Sequence, residues 1–202
     1  MTTPPVPEGL VESPTEDPTA TKILDAALAE FTDFGIRRVS VDNIAARAGV
    51  HRTTVYRYFS TKAEILQASA VKWLHDTFST IYDEIQTLPP DERVVEGFAR
   101  AVGACYASPL TARVLGSDTD AGLRSLTVDA GPVIGMVSAV FVHWLWEGDE
   151  SGSSEDAAGT AEVLVRLGLS FVLTPDSHFD MRSPDVRRDF ARRYLLPLMT
   201  VL

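Results

Sequence analysis

The 202-residue chain contains a single cysteine, Cys105. One thiol excludes a disulfide framework and any multi-cysteine metal site, and it fits a reducing compartment. Long apolar runs are also missing. The nearest approach, Gly131–Trp146, has 16 residues and is interrupted by two glycines, a proline, a serine and a histidine; a membrane span needs roughly 18. The first 18 residues contain no Lys or Arg but five prolines and four acids. Neither the basic start nor the apolar core of a secretory signal is present. A soluble, cytoplasmic chain with no membrane partner is expected. The four histidines are scattered at 51, 75, 143 and 178, and no HExxH, GxSxG, P-loop or paired-cysteine pattern occurs. Asp118 and Asp120 are neighbours only as an acidic loop would make them. No enzyme, catalytic residue, metal site or cofactor is expected.

What the chain does contain is 45% apolar and 23% charged residues, the balance of a folded domain large enough to bury a core without staples. Its net charge of −10 argues at first against a polyanionic partner. The charge is unevenly spread. Residues 1–20 carry four acids and no base, residues 21–62 seven bases and four acids, and residues 63–202 eleven bases and twenty acids. One short segment is basic within an acidic chain, enough to meet a polyanion locally.

Helical periodicity runs almost throughout, and no strand alternation competes with it. Residues 1–18 are rich in Pro, Thr and Glu and read as a disordered tail. From Thr19 or Thr21, Ile23, Ala27, Phe31 and Phe34 form one stripe that Gly35 ends. Ser40 is a suitable N-cap for a short helix with Val41, Ile44, Ala45 and Ala48 inward, stopped by Gly49. A third helix covers Arg52–Tyr58. Thr61-Lys-Ala-Glu64 then opens, as a capping box, a long helix that Pro89-Pro90 ends. Further helices are expected from Asp91 to about Ala107, Pro109 to about Leu115, Val133–Trp146, Glu155–Thr174 and Ser183 towards Leu196, with a turn or two at Ala121–Val128 and an acidic loop at Gly148–Ser154. The expectation is an all-α fold of about nine helices: tail 1–18, a three-helix helix-turn-helix unit 19–64, and a larger helical part 65–202.

Two short helices joined through Ala48-Gly49-Val50-His51 are what a helix-turn-helix needs. In the second helix Val55 and Phe59, four apart, can face a core, which leaves Arg52, Thr53, Tyr56 and Arg57 outside. These side chains suit guanine edges, phosphates and thymine methyls. The alternative on spacing alone is a plain helical hairpin.

The run Ser40-Val-Asp-Asn-Ile44-Ala45-Ala-Arg-Ala48-Gly49-Val50, then Thr54-Val-Tyr56-Arg-Tyr58-Phe59, Lys62 and Leu66, closely resembles the DNA-binding segment of TetR-family transcriptional regulators. The resemblance covers about residues 20–66. It implies that Ser40 meets a phosphate at its helix N-terminus, that Arg52, Thr53, Thr54, Arg57 and Tyr58 touch bases or backbone, and that Tyr56 and Lys62 hold phosphates. Ile44 and Phe59 match core positions. His51 stands where many members carry Ser or Thr.

In that family the carboxyl-terminal half senses a small molecule and forms the dimer. Here Met136, Val140, His143 and Trp144 share a helical stripe, with Phe98, Cys105, Tyr106, Leu110 and Val114 as a candidate facing wall of an apolar pocket; the alternative is plain core. Ala157, Ala158, Ala161, Leu164, Gly168 and Phe171 place small residues along one seam, and Val186, Phe190 and Tyr194 form a second stripe. Two such helices from each of two chains would make a four-helix interface; equally, both stripes could face their own core. Arg187, Arg188, Arg192 and Arg193 flank the second stripe, to pair with the other chain's acids or stand in solvent. The functional expectation is a repressor that binds a pseudo-palindromic double-stranded DNA operator as a homodimer and is released by a small apolar or amphipathic effector. The alternatives are a regulator with no small-molecule effector, answering to a protein partner or to concentration, or an activator.

Overall fold

The computed structural model describes residues 17–116, 127–128, 130–146 and 154–199, without the side chains of 114, 132, 143–146, 154 and 155. Residues 1–16 of the expected tail, 121–126 of the turn expected at 121–128 and 148–153 of the acidic loop expected at 148–154 lie outside the described residues. The described chain is all-α, as expected. Its helices are α1 Pro18–Phe34, α2 Val41–Ala48, α3 Arg52–Tyr58, α4 Lys62–Ile85, α5 Pro90–Ala107, α6 Pro109–Gly116, α7 Gly131–Trp146 and α8 Ser154–Leu173. A terminal rod follows, made of α9 Pro184–Phe190, a π-helical turn Ala191–Leu195 and α10 Leu196–Met199. Counted with that rod as one, the described helices number nine. Contacts divide the chain into two units. The first runs to His75 and takes in the segment from Ala112; the second holds Asp76–Thr111 and the chain from Arg124.

The first unit starts earlier than its apolar stripe suggests. Asp17 caps α1 by accepting the Thr19 N–H at 2.7 Å, and Pro18 fills the first helical position, where a missing N–H costs nothing. Asp17 and Pro18 therefore belong to the helix, not to the tail. Ala20, Ile23, Leu24, Ala27 and Phe31 are buried, and α1 packs on α2. Phe34, expected on the same stripe, is 55% exposed; the helix ends at the next residue. On the first part of α4, Ile65 and Ser69 are the buried pair. The Ser69 hydroxyl reaches back to the Ile65 carbonyl at 2.7 Å and across to that of Leu24 at 3.4 Å. The expected stripe members Ala68, Val71 and Leu74 are only half-buried. Lys72 pairs with Asp25 at 2.8 Å. Arg113, on α6, donates to the Thr32 and Asp33 carbonyls at 3.0 and 2.6 Å, meeting groups that the end of α1 leaves without intrahelical partners.

In the second unit α5 packs against α8 and α9, and α7 packs along α8. Val94, Val95, Phe98 and Val102 of α5 are buried with Ala161, Leu164 and Phe190. Of the seam expected at a dimer interface, Ala157, Ala161, Leu164 and Gly168 are covered by their own chain, and Ala158 is exposed. Ala161 is 0% exposed and Leu164 1%. A β-carbon at Gly168 would lie 3.3 Å from Val102 and 3.7 Å from Phe98, so the glycine serves a close approach of α8 to α5. Phe190 stacks on Phe98 with centroids 5.7 Å apart and meets Phe171, Phe179 and Tyr194 at 5.1, 5.0 and 5.1 Å. Phe171 and Val186 are half-buried. A 3.6-residue apolar period reads the same whether the covering surface is the chain's own or a partner's, and here the chain supplies it.

Arg187, Arg188 and Arg192 are likewise used within the chain, while Arg193 is exposed beside the ring of Tyr194. Arg192 pairs with Glu92 at 3.1 Å. Arg187 is buried against Gly103, where a β-carbon would stand 2.6 Å from its Nη2. Its Nη1 donates to the Met181 and Arg182 carbonyls, and its Nε is buried without a hydrogen-bond partner. Desolvation lowers its pKa below the ordinary arginine value.

Arg188 donates to Glu96 at 2.6 and 3.4 Å, and Arg100 donates to the same carboxylate at 3.0 Å. The Arg188 hydrogen bond above all, then that of Arg100, holds Glu96 below the ordinary glutamate value of 4.5, against the opposing effect of burial. A carboxylate lowered on folding stabilises the native state above its unfolded pKa, and that stabilisation is lost as pH falls through the lowered folded value. Glu96→Gln is therefore expected to flatten the decline in stability below about pH 4.5, read from urea midpoints at pH 7, 4.5 and 3.5. An acid limb as steep as wild type would contradict this triad's role.

Candidate nucleic-acid interface

Local chemistry fixes the geometry of α2, the turn and α3. The Ser40 hydroxyl accepts the Asn43 N–H at 3.2 Å, and the Asn43 side chain accepts the Ser40 N–H at 2.9 Å while also receiving the serine hydroxyl. This reciprocal box satisfies donors that the start of α2 leaves without partners. At the far end Gly49 takes φ +64°, ψ +35°, a conformation a β-carbon resists. The Gly49 and Val50 N–H groups return to the Ala46 and Ala45 carbonyls at 3.1 and 3.0 Å. His51 opens α3 with no side-chain cap bond. Val55 and Phe59 are buried, at 0% and 2% exposure.

Arg52, Thr53, Tyr56 and Arg57 consequently face solvent, with Thr54 and Tyr58 half-buried. Arg52 Nη1 donates to both oxygens of Asp42, at 2.8 and 3.2 Å, and Nη2 donates to the Tyr56 hydroxyl at 3.2 Å. The guanidinium also lies over the Tyr56 ring, 5.3 Å from its centroid. The Tyr56 hydrogen bond, then the Asp42 charge, raise the arginine's pKa further. Arg57 sits over the Tyr58 ring at 5.2 Å. The Tyr58 hydroxyl donates to Asp17 at 2.6 Å and lowers that carboxylate's pKa. Lys62 is turned inward: its Nζ donates to the Ile36 and Val39 carbonyls at 2.8 and 2.9 Å, closing the connection that delivers Ser40 to α2. Thr61 caps α4 by accepting the Glu64 N–H at 3.1 Å, while the Glu64 carboxylate reaches one residue beyond the expected box, to the Ser60 N–H at 2.7 Å. Sequence reasoning missed three members of this face. Asp17 is legible as an Asp-Pro helix start and Asn43 as the third residue after the Ser40 cap; Asp42 is visible only once α2 and α3 are packed.

Residues 23–69 match the model of the bacterial regulatory proteins of the tetR family, and residues 90–200, more than half of the chain, match that of the bacterial tetracyclin repressor C-terminal domain. The chain belongs to the TetR family. The helix-turn-helix transcriptional regulator AlkX of Mycobacterium tuberculosis is 24% identical over 175 residues, covering 83% of this chain and 81% of AlkX. The transcriptional repressor SCO4008 of Streptomyces coelicolor is 33% identical over 84 residues, 41% of this chain and 40% of the relative. Among solved structures, the TetR-family repressor AlkX from Dietzia sp. strain DQ12-45-1b, implicated in biodegradation of n-alkanes, superposes with TM-score 0.70 at 22% identity, covering 88% of this chain and 97% of its own. The regulator FadR from Bacillus subtilis in complex with stearoyl-CoA gives TM-score 0.55 at 16% identity, covering 86% and 97%. The chain is thus a helix-turn-helix transcriptional regulator.

In this TetR-family chain the residues expected to line a pocket have varied surroundings. Phe98, Leu110 and Met136 are buried, Phe98 in the aromatic cluster around Phe190. Val140 and Tyr106 are half-buried. The Tyr106 hydroxyl donates to the Phe171 carbonyl at 2.6 Å, and Arg182 lies over its ring at 5.6 Å. Burial pushes the Cys105 thiol up to about 11, the behaviour of a packed residue and not of a thiolate. The side chains of Val114, His143 and Trp144 lie outside the described residues. Among those described, no helix is long and apolar enough to cross a membrane, and no three His, Cys, Asp or Glu side chains group to hold a metal ion.

Proposed function

We propose that this TetR-family regulator is a repressor that binds a pseudo-palindromic operator as a homodimer and is released by a long-chain aliphatic effector. The observation that carries the reading is the outward face of α3, where Arg52, Thr53, Tyr56 and Arg57 stand exposed on a helix fixed by the Gly49 turn. Residues 19–64 form the DNA-binding part, with the exposed Ser40 at the start of α2 and the half-buried Thr54 on α3, and residues 65–202 the sensing and dimerising part. The dimer surface takes in three exposed apolar side chains of the second unit: Val163 on α8 at 47%, and Tyr194 and Leu198 on the terminal rod at 42% and 43%. Two-fold symmetry then sets two half-sites at the spacing of two recognition helices.

The nature of the effector rests on AlkX's link to n-alkanes and on FadR's stearoyl-CoA, together with the apolar content of α7, where Ile134, Met136, Val137 and Phe141 are buried. Release requires the effector to prefer the DNA-incompetent arrangement; a tenfold preference corresponds to about 1.4 kcal/mol. Helix α4, with residues in both units, is the element through which that preference reaches the recognition helices. Native mass spectrometry of the protein with operator DNA, with and without stearoyl-CoA or hexadecane, tests the reading. Two chains per palindrome, lost on adding the aliphatic compound, are expected. One chain per site contradicts the dimer, and equal effector affinity for free and DNA-bound protein contradicts release.

A further inference from the structure

We infer that Asp42, together with Tyr56, makes Arg52 a pre-set guanine reader, so that a residue of α2 decides base specificity at one operator position. The inference rests on α3 entering the major groove. An exposed arginine is ordinarily a mobile cation that meets any phosphate. Arg52 is held on three sides: both Asp42 oxygens take Nη1, the Tyr56 hydroxyl takes a proton of Nη2, and the Tyr56 ring lies beneath the guanidinium. Of its five N–H donors, these bonds leave three, the Nε–H, one on Nη1 and one on Nη2; with the Tyr56 hydroxyl on the Nη2 proton that points away from Nε, the Nε–H and the other Nη2 proton form a parallel pair along one edge. That edge has the spacing to meet O6 and N7 of a single guanine, the commonest specific contact in the major groove.

Fixing the fork in advance removes the entropy otherwise lost on docking. It does so only where the acceptor pair is present, so the gain appears as discrimination, not as general affinity. The carboxylate also repels phosphate, which turns Arg52 away from the backbone and towards the bases. The Arg52 and Asp42 side chains are 55% and 61% exposed, and so open a pair contributes little to folding. Asp42 can therefore be changed without unfolding the unit.

The test is selection from random-sequence DNA with the full wild-type chain. Titrations of wild type, Asp42→Asn, Tyr56→Phe and Arg52→Ala follow, on the selected site and on sites with each G·C pair replaced in turn. Wild type is expected to lose about 10- to 100-fold in affinity at one G·C pair. Arg52→Ala abolishes that sensitivity, Asp42→Asn reduces it to under about threefold, and Tyr56→Phe, which keeps the ring and removes one acceptor, reduces it in part; the other positions keep their wild-type preferences. Wild-type discrimination in Asp42→Asn overturns the inference, whatever Tyr56→Phe shows. So does tighter binding of Asp42→Asn to all sites alike, since Asp42 would then be a competitor for Arg52. If wild type selects no sequence, or Arg52→Ala keeps every wild-type preference, base reading by Arg52 itself fails and the inference fails with it. Wild-type preferences in Asp42→Asn and Tyr56→Phe beside a loss in Arg52→Ala reject only the positioning role.

Discussion

Phe190→Ala is expected to lower the unfolding free energy by about 3–5 kcal/mol. Phe190 is 7% exposed and meets the rings of Phe98, Phe171, Phe179 and Tyr194 with centroids within 6 Å. Truncation leaves a cavity bordered by α5, α8 and the segment before α9, none of which can collapse far into it. Urea unfolding at two protein concentrations tenfold apart distinguishes the two roles this residue has been given. A core residue loses stability by the same amount at both concentrations. A dimer-interface residue shows a loss that grows on dilution, because association then supplies the stability. The packing predicts the first result, and a concentration-dependent loss would restore the interface reading.

Lys62→Met should weaken DNA binding about tenfold while leaving its salt dependence unchanged. The resemblance to the family implies that this lysine holds a phosphate, whereas the structure turns Nζ onto the carbonyls of Ile36 and Val39. If it acts through that connection, its loss frees the approach to Ser40, costs about 1.5–3 kcal/mol of stability, and misplaces α2 and α3 without removing a phosphate contact. If it is itself a phosphate ligand, the slope of log affinity against log salt falls by about one. Titrations at 50, 100 and 200 mM salt separate the two, and a slope reduced by one would contradict the positioning role.

What the sequence makes legible is the local chemistry. Gly49, Ser40, Pro184 after Ser183, and Pro89-Pro90 each act through their own backbone or a partner within four residues, so the helix ends they predict lie within a residue or two of those found. The same holds for Val55 and Phe59 facing inward. Illegible features are those made by distant partners. Tyr58 meets Asp17 across 41 positions and Lys62 meets Val39 across 23; nothing in the pattern around either residue announces the contact. The side towards which a stripe faces is equally hidden. Ala161, Leu164, Gly168 and Phe190 have the spacing of an interface and of a core alike, and only the position of α5 decides. The exposed face of α3 is therefore legible residue by residue, while the Asp42 and Asp17 carboxylates that hold Arg52 and Tyr58 in place are not.

The central claim is that α3 presents a sequence-reading, phosphate-meeting surface. Its most direct test is a titration of the full chain against the DNA segment beside its own coding region, or against a site drawn from random-sequence selection, at 50 and 200 mM salt, with Arg57→Ala in parallel. The account predicts binding tight enough to survive excess random DNA, weakened steeply by salt, and weakened by at least about tenfold in Arg57→Ala with a shallower salt slope. Binding that Arg57→Ala leaves intact, or no sequence preference after selection, would contradict it.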